Sequence, residues 1–352
     1  MSVGIAVRAA QSLGLDAPQS AAGHGGMASA QRHRLWQCCV FMDRSVSWVS
    51  GRVSTVALTA PGVSPAEQQG ESDYQENAYF KKTLDLYEIA NRAVLSHNPD
   101  CNGLADPHVG RGNDSGVSTV MQLEESIVKW ETSLPLDLRL ENFMGKQATR
   151  AENVTYRQAI LLRLRIFHAR IVLLKPMLAR YCSSSQVTEN VMMHKFLRDC
   201  AVLCIESAQK MTELVDQEHN PGPDLGSIMW WHRVFYLHVA GTVLLASMLQ
   251  ADDLFTQSVS RSWQTAMRAL CAHAHLSVSV QQCVKTFETL SAKLSDAQHL
   301  VSGADRASVD PLVGCDEPFS SADFQDMFQD MGIDLDSCLF GIEDMAWTGN
   351  VL

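Results

Sequence analysis

Apolar residues recur along this chain at helical spacing, and no stretch alternates with the period of a strand. The best organised segment runs from Gln31 to Arg52. In it Leu35, Cys38, Cys39, Met42, Val46 and Val49 fall at i, i+3, i+4, i+7, i+11 and i+14, one apolar stripe of an α-helix. Trp36, Val40, Phe41 and Trp48 widen the stripe, which predicts a helix buried on two sides with Gly51 as its left-handed terminator. Arg32, Arg34, Asp43, Arg44 and Arg52 sit in the same surround. A charge beside a core helix must be solvated or paired. A structural pair between Asp43 and an arginine is therefore expected, with a functional charge as the alternative.

The same period predicts the other elements. Val3 to Leu13 is a short Ala-rich helix stopped by Gly14, and a Gly/Ala/Ser linker over 21–29 follows it. Val53 to Glu71, with Pro61, Gly62 and Pro65, is an extended surface connection. Tyr74 to Ser96 returns to helix with Phe80, Leu84, Tyr87 and Val94 on one face. Pro99 to Gly116 is a polar, Gly/Asn/Asp-rich loop, an insertion at about 97–117. Val120, Leu123, Ile127 and Trp130 make the next face, closed by Leu134-Pro135. A long helix from about Asn153 to Leu174 carries Ile160, Leu164, Phe167, Ile171 and Leu174, with Arg163, Arg165 and Arg170 as a solvated or ion-paired flank. Pro176 kinks or ends it. His194 to Gln217 has Cys204, Ala208 and Met211 at i, i+4 and i+7, and Pro221-Gly222-Pro223 breaks the chain. Ser262 to Lys293 is the last body helix, or two.

Val234 to Ala251 has no charged residue, yet it contains His238, Thr242, Ser247 and Gln250 and lacks a basic flank. A central core helix is expected rather than a membrane span.

At 352 residues and 46% hydrophobic composition, the chain can bury one or two cores. Its net charge of −11 does not suit a polyanion partner. Nearly all of that charge lies after Asp305, where acids outnumber the lone base Arg306; the body is close to neutral and the tail is a separate acidic object. None of the ten cysteines forms a C-x2-C pair, so neither a zinc site nor a disulfide framework is indicated. Cys200 and Cys204 read as buried small hydrophobes. The N-terminus lacks the long apolar run of a signal peptide, which predicts reduced thiols and an intracellular protein.

Several motifs resemble, in order, those of the regulatory (middle homology, xylanolytic-activator-type) domain of fungal zinc-cluster transcription factors. Gly4 to Leu15, with Arg8 and Gly14, is similar to G-M-A-x-R-x-A-x-x-L-G-L-H, Asp16 replacing the histidine. Arg32, Arg34, Leu35, Trp36, Asp43, Arg44, Ser47, Gly51 and Arg52 match R-R-x-L/F-W…D-R-x-x-S…G-R-P. There His33 stands for an arginine and Val53 for the proline. The Trp130–Pro135 block, the Arg170–Pro176 block, and Trp231, Phe235, Ala240, Leu244 and Leu245 extend the match to about Leu290.

The resemblance implies an all-α multi-helix orthogonal bundle over 1–298 and a disordered acidic tail over 299–352. It also implies a nuclear regulator of RNA polymerase II transcription that contacts DNA only through a binuclear zinc cluster. That module is missing here, so no zinc or other cofactor is expected in this chain. Because the first motif begins near residue 3, the chain is expected to start inside a domain, by natural truncation or a gene model begun too late. A homodimer is compatible with the resemblance.

In the tail, Phe324, Met327, Phe328 and Met331 recur at i, i+3, i+4 and i+7, with Asp323, Asp326 and Asp330 on the other side. Such a segment is too acidic and isolated to hold a helix alone. An activation segment that folds into a coactivator groove is expected, against a solvated helix docked on the body.

No catalytic constellation is present: the twelve histidines form no H-E-x-x-H, and there is no G-x-S-x-G or phosphate loop. A terpene-synthase-like metal site is the weak enzyme alternative. It would draw on Asp252-Asp253 or Asp323, Asp326 and Asp330 and lacks a second motif. A stand-alone helical interaction or effector-binding domain also stays open.

Overall fold

The computed structural model describes residues 2–16, 26–49, 54–56, 74–97, 113–143, 154–183, 191–218, 228–248 and 256–304. Among these there is no strand. Nine α-helices follow in order: α1 Ser2–Ser12, α2 Gly26–Val49, α3 Tyr74–His97, α4 Asn113–Thr132, α5 Val154–Ser183, α6 Val191–Gln217, α7 Trp230–Ser247, α8 Thr256–His273 and α9 Val278–Ala304. The class is all-α, as the period of the apolar residues requires.

The chain falls into two compact units, Met1–Pro135 and Leu136–Leu352. In the first, α1 packs on α2, α2 on α3 and α3 on α4. The predicted face of α4 is the buried one: Val120, Leu123, Ile127 and Trp130 all face inward. The Trp130 indole Nε1 also donates to the Lys82 carbonyl of α3 at 2.9 Å, so the ring's polar edge is satisfied as its body is buried.

The face of α2 differs from the prediction. Leu35 is 57% exposed, and Cys38, Met42 and Val46 are exposed with it. The side turned into the unit carries Asp43, Arg44 and Trp48 instead. Trp48 lies edge-on to Tyr87 at 4.6 Å, and Phe41 stacks on Phe80 at 5.0 Å. Apolar residues lie on more than one side of α2, so their spacing could not say which side would be chosen. Aromatic packing against α3 decides it, through an offset stack and an edge-to-face pair. On α3 the inward side is likewise turned, to Thr83, Leu86, Tyr87, Ala90 and Ala93.

In the second unit α5 is the hub, packed on α6 and α7, while α8 and α9 close over α6 and α7. Its middle is buried nearly all round, with Ile160, Leu162, Leu164, Leu173 and Leu174 inside. Arg165 is buried there too, rather than solvated on a flank. Arg163 lies over the Phe167 ring at 5.0 Å and 4.0 Å from Glu141. Pro176 does not end α5. The helix continues to Ser183, held by the burial of Leu178 and Tyr181 beyond the proline. That packing outweighs the one lost backbone bond.

Cys204, Ala208 and Met211 form the buried stripe of α6, and α7 contributes Leu237, Ala240, Val243 and Leu244 to the same core. Gly241 of α7 allows a close approach: a Cβ there would meet Phe287 of α9 at 2.7 Å. The stretch predicted as one or two final helices is two, α8 and α9, separated by a short 3-10 turn over Ala274–Leu276. Two other predicted boundaries move. Helix α2 starts inside the predicted linker at Gly26, and α4 starts at Asn113, inside the predicted loop. Pro221-Gly222-Pro223 and most of the 53–71 connection lie outside the described residues.

Candidate functional site

Most family-signature positions fall in the first unit, and two groups of them meet. The first joins α1 to α2. Gly14 follows α1 with φ +64°, the left-handed conformation that ends helices and that glycine adopts without penalty. The Gly14 N–H donates to the Gln11 carbonyl at 2.8 Å. Arg32 reaches back from α2, its Nη2 donating to the carbonyls of Leu13 at 3.1 Å and Gly14 at 3.2 Å. A cation on the last carbonyls of a helix also answers the negative end of its dipole.

The second group is a buried charge cluster. Asp43 is 4% exposed and Arg44 1%. Adjacent on α2, they grip the same short segment, 54–56, which follows that helix in the chain. The Asp43 carboxylate accepts from both hydroxyls and two backbone amides. Ser54 Oγ and the Val56 N–H (3.1 Å) go to Oδ2, and Thr55 Oγ1 and its N–H (3.4 Å) to Oδ1. Arg44 serves the segment's acceptors, with Nη1 donating to Ser54 Oγ and to the Val56 carbonyl at 2.6 Å. Its Nε donates to Glu88 Oε1 of α3 at 2.8 Å, while Asp43 Oδ2 and Arg44 Nη1 lie 3.6 Å apart.

Burial alone would raise the Asp43 pKa. The hydrogen bonds from Ser54, Thr55 and the Val56 amide outweigh it, and the carboxyl is held below its usual value. An ionised carboxylate with both oxygens occupied is not a general base at neutral pH. The cluster therefore does mechanical work: it locks 54–56 onto α2 and α2 onto α3.

Sequence reasoning singled out Asp43 and Arg44 but missed Ser54, Thr55, Val56 and Glu88. The only signal for the first three was a pair of hydroxyl residues just after the glycine expected to end the helix. Glu88 gave none, because it comes from another helix.

The remaining signature positions are dispersed. Arg8 and Arg34 are exposed, Trp36 and Pro135 half-buried and Trp130 buried; Arg170 and Pro176 are half-buried in the second unit. Gly51 and Arg52 lie outside the described residues. So do Asp252-Asp253 and the tail from residue 305 on, with Asp323, Asp326, Asp330, Phe324, Met327, Phe328 and Met331, whereas 299–304 of the expected disordered tail are the helical end of α9.

Among the described residues no three His, Cys, Asp or Glu side chains are grouped to hold a metal ion, and no helix is long and apolar enough to cross a membrane. Cys200 and Cys204 are buried. His273 is buried with Nδ1 2.7 Å from the Ala269 carbonyl, and His275 is exposed.

No protein-family model matches the chain, and no solved structure does. Two curated fungal proteins do match. Sorbicillinoid biosynthetic cluster transcription factor 2 of Penicillium rubens is 35% identical over 360 aligned residues, covering 98% of this chain and 50% of that protein. Sorbicillinoid biosynthetic cluster transcription factor sor3 of Hypocrea jecorina is 36% identical over 326, covering 89% of this chain and 44% of that protein. The chain thus spans about half the length of the curated relatives it matches, and those homologues are fungal transcription factors.

Proposed function

We propose that this chain is the regulatory and activating portion of a fungal RNA polymerase II transcription factor, working in the nucleus through protein contacts. The observation that carries the reading is the similarity along nearly the whole chain to two transcription factors. The all-α build and the way the signature residues Gly14 with Arg32, and Asp43 with Arg44, stabilise one unit support it.

In this reading the domain over 1–298 is a middle homology domain, and it catalyses no reaction. Duplex contact belongs to a zinc-cluster module that the cysteines of this chain cannot build, lacking any C-x2-C pair. The acidic tail recruits transcription machinery. Its carboxylates keep Phe324, Met327, Phe328 and Met331 in water until a coactivator groove takes them. Coupled folding of this kind gives modest affinity and fast exchange. The test fuses the whole chain to an unrelated DNA-binding module: a reporter carrying that module's site is then activated, and a reporter left at its basal level contradicts the reading.

A further inference from the structure

Helix α2 turns one side into its unit and leaves the other uncovered among the described residues. Leu35 is 57% exposed, Met42 41% and Val46 47%; Cys38 is exposed with them, and Val49 closes the row half-buried. The five fall at i, i+3, i+7, i+11 and i+14, so they lie along one side of the helix. A single exposed apolar side chain is ordinary, but a contiguous row of them marks a surface of interaction.

Charge restricts what can cover this row. From Leu35 to Val49 the charged residues of α2 are Asp43 and Arg44, and both are turned inward, 4% and 1% exposed. A strongly acidic or basic partner would find no opposite charge along the row and would lose its own hydration there. The surface fits an uncharged, apolar helix face.

Symmetry restricts it further. Leu35, Cys38, Met42, Val46 and Val49 are spaced 3, 4, 4 and 3 residues apart, the same in either direction. A twofold interface needs a patch that complements itself in this way. When a second α2 is laid antiparallel on the first, Met42 meets Met42, Cys38 meets Val46 and Leu35 meets Val49. The charges agree with that direction. Arg34, at the amino end of the row, then lies roughly 24 Å along the axis from its copy, by the rise of the helix. A parallel pairing would set the two guanidiniums side by side, within the range where like charges repel.

We propose that the outward row of α2 joins two copies of this chain, with the two helices antiparallel and Met42 on the twofold axis. Four partly exposed side chains and a half-buried fifth hold well under the ~800 Å² per partner of a standard interface. The pair is therefore a weak one, in the micromolar range of dissociation constants. The assignment is independent of the transcriptional reading, because it rests on the surface of α2 alone. A monomeric chain that still activates a reporter would remove the pairing and leave that reading untouched.

The test is sedimentation velocity of the full chain from low to high micromolar concentration, where a monomer gives way to a dimer. Met42→Glu and Met42→Lys each place two like charges on the axis and weaken pairing about tenfold or more. Mixing the two variants restores it, because residue 42 faces its own copy. Met42 is exposed, and circular dichroism confirms that both variants are folded. Maleimide labelling of Cys38, located by peptide mapping, slows as the wild-type concentration rises. A monomer at every concentration overturns the assignment, whether Cys38 labels freely or is shielded within its own chain. So does a dimer that Met42→Glu leaves unchanged, or a mixture of the two variants that fails to pair.

Discussion

Arg44 on α2 donates its Nε to Glu88 on α3 at 2.8 Å, with the arginine almost wholly out of water. Such a contact contributes little net stability when intact, because two charges were desolvated to make it. Its effect is on specificity: a helix with apolar residues on more than one side is fixed in one rotation by the partners its charges require. Glu88 Oε2 is buried without a hydrogen bond among the described residues, so the glutamate depends heavily on Arg44.

Removing the arginine exposes that dependence. Arg44→Met leaves the half-buried Glu88 without its cation and frees 54–56, and should cost about 2–4 kcal/mol of unfolding free energy, somewhat less than breaking a fully buried pair. Urea denaturation of the purified chain measures it. A loss below about 1 kcal/mol would mean that the aromatic pairs of Phe41 and Trp48 hold α2 by themselves.

Gly241 tests the packing of α9. Alanine there drives a methyl group into Phe287, which also rests on His238 at 5.4 Å and Trp263 at 5.4 Å. Overpacking of this kind costs roughly 1–3 kcal/mol. The Gly241→Ala, Phe287→Leu double variant should recover most of the loss, which a comparison of thermal midpoints reads directly.

Acid should destabilise the protein in two windows, one of histidines and one of Asp43, that overlap only below about pH 4. His168 and His238 have folded values of about 3 and about 4, well below the ~6.5 of an unfolded histidine. Between those values the unfolded chain takes up protons that the folded chain refuses, so stability falls as pH drops from about 6.5 towards 4. Asp43 is also depressed when folded. Its contribution is complete above the ordinary carboxylate value of ~3.9 and is lost only as pH falls through its lower folded value. His168→Phe should therefore lessen the fall in the upper window, where His238 and His232 still contribute, and Asp43→Asn should lessen the lower one. Urea midpoints followed from pH 7 downwards separate them.

The fold class was legible because α4 and α6 each bury one coherent stripe, and Val120, Leu123, Ile127 and Trp130 are inward in the structure as their spacing predicts. Helix α2 was not legible in the same way. Leu35 and Met42 obey the helical period and are exposed, whereas Asp43 and Arg44 break the apolar pattern and are buried. Periodicity ranks faces by hydrophobicity, and a buried charge whose partners come from another helix defeats that ranking. Pro176 misled for a related reason: its local penalty is visible in the sequence, while the packing of Leu178 and Tyr181 that offsets it is not.

The most direct measurement of the central claim is reporter transcription driven by the whole chain tethered to an unrelated DNA-binding module, compared with the same fusion carrying Phe324→Ala and Phe328→Ala. The account predicts activation by the first and return to the basal level with the second, at equal protein abundance. Activation undiminished in the double variant, or none in either fusion, would contradict it.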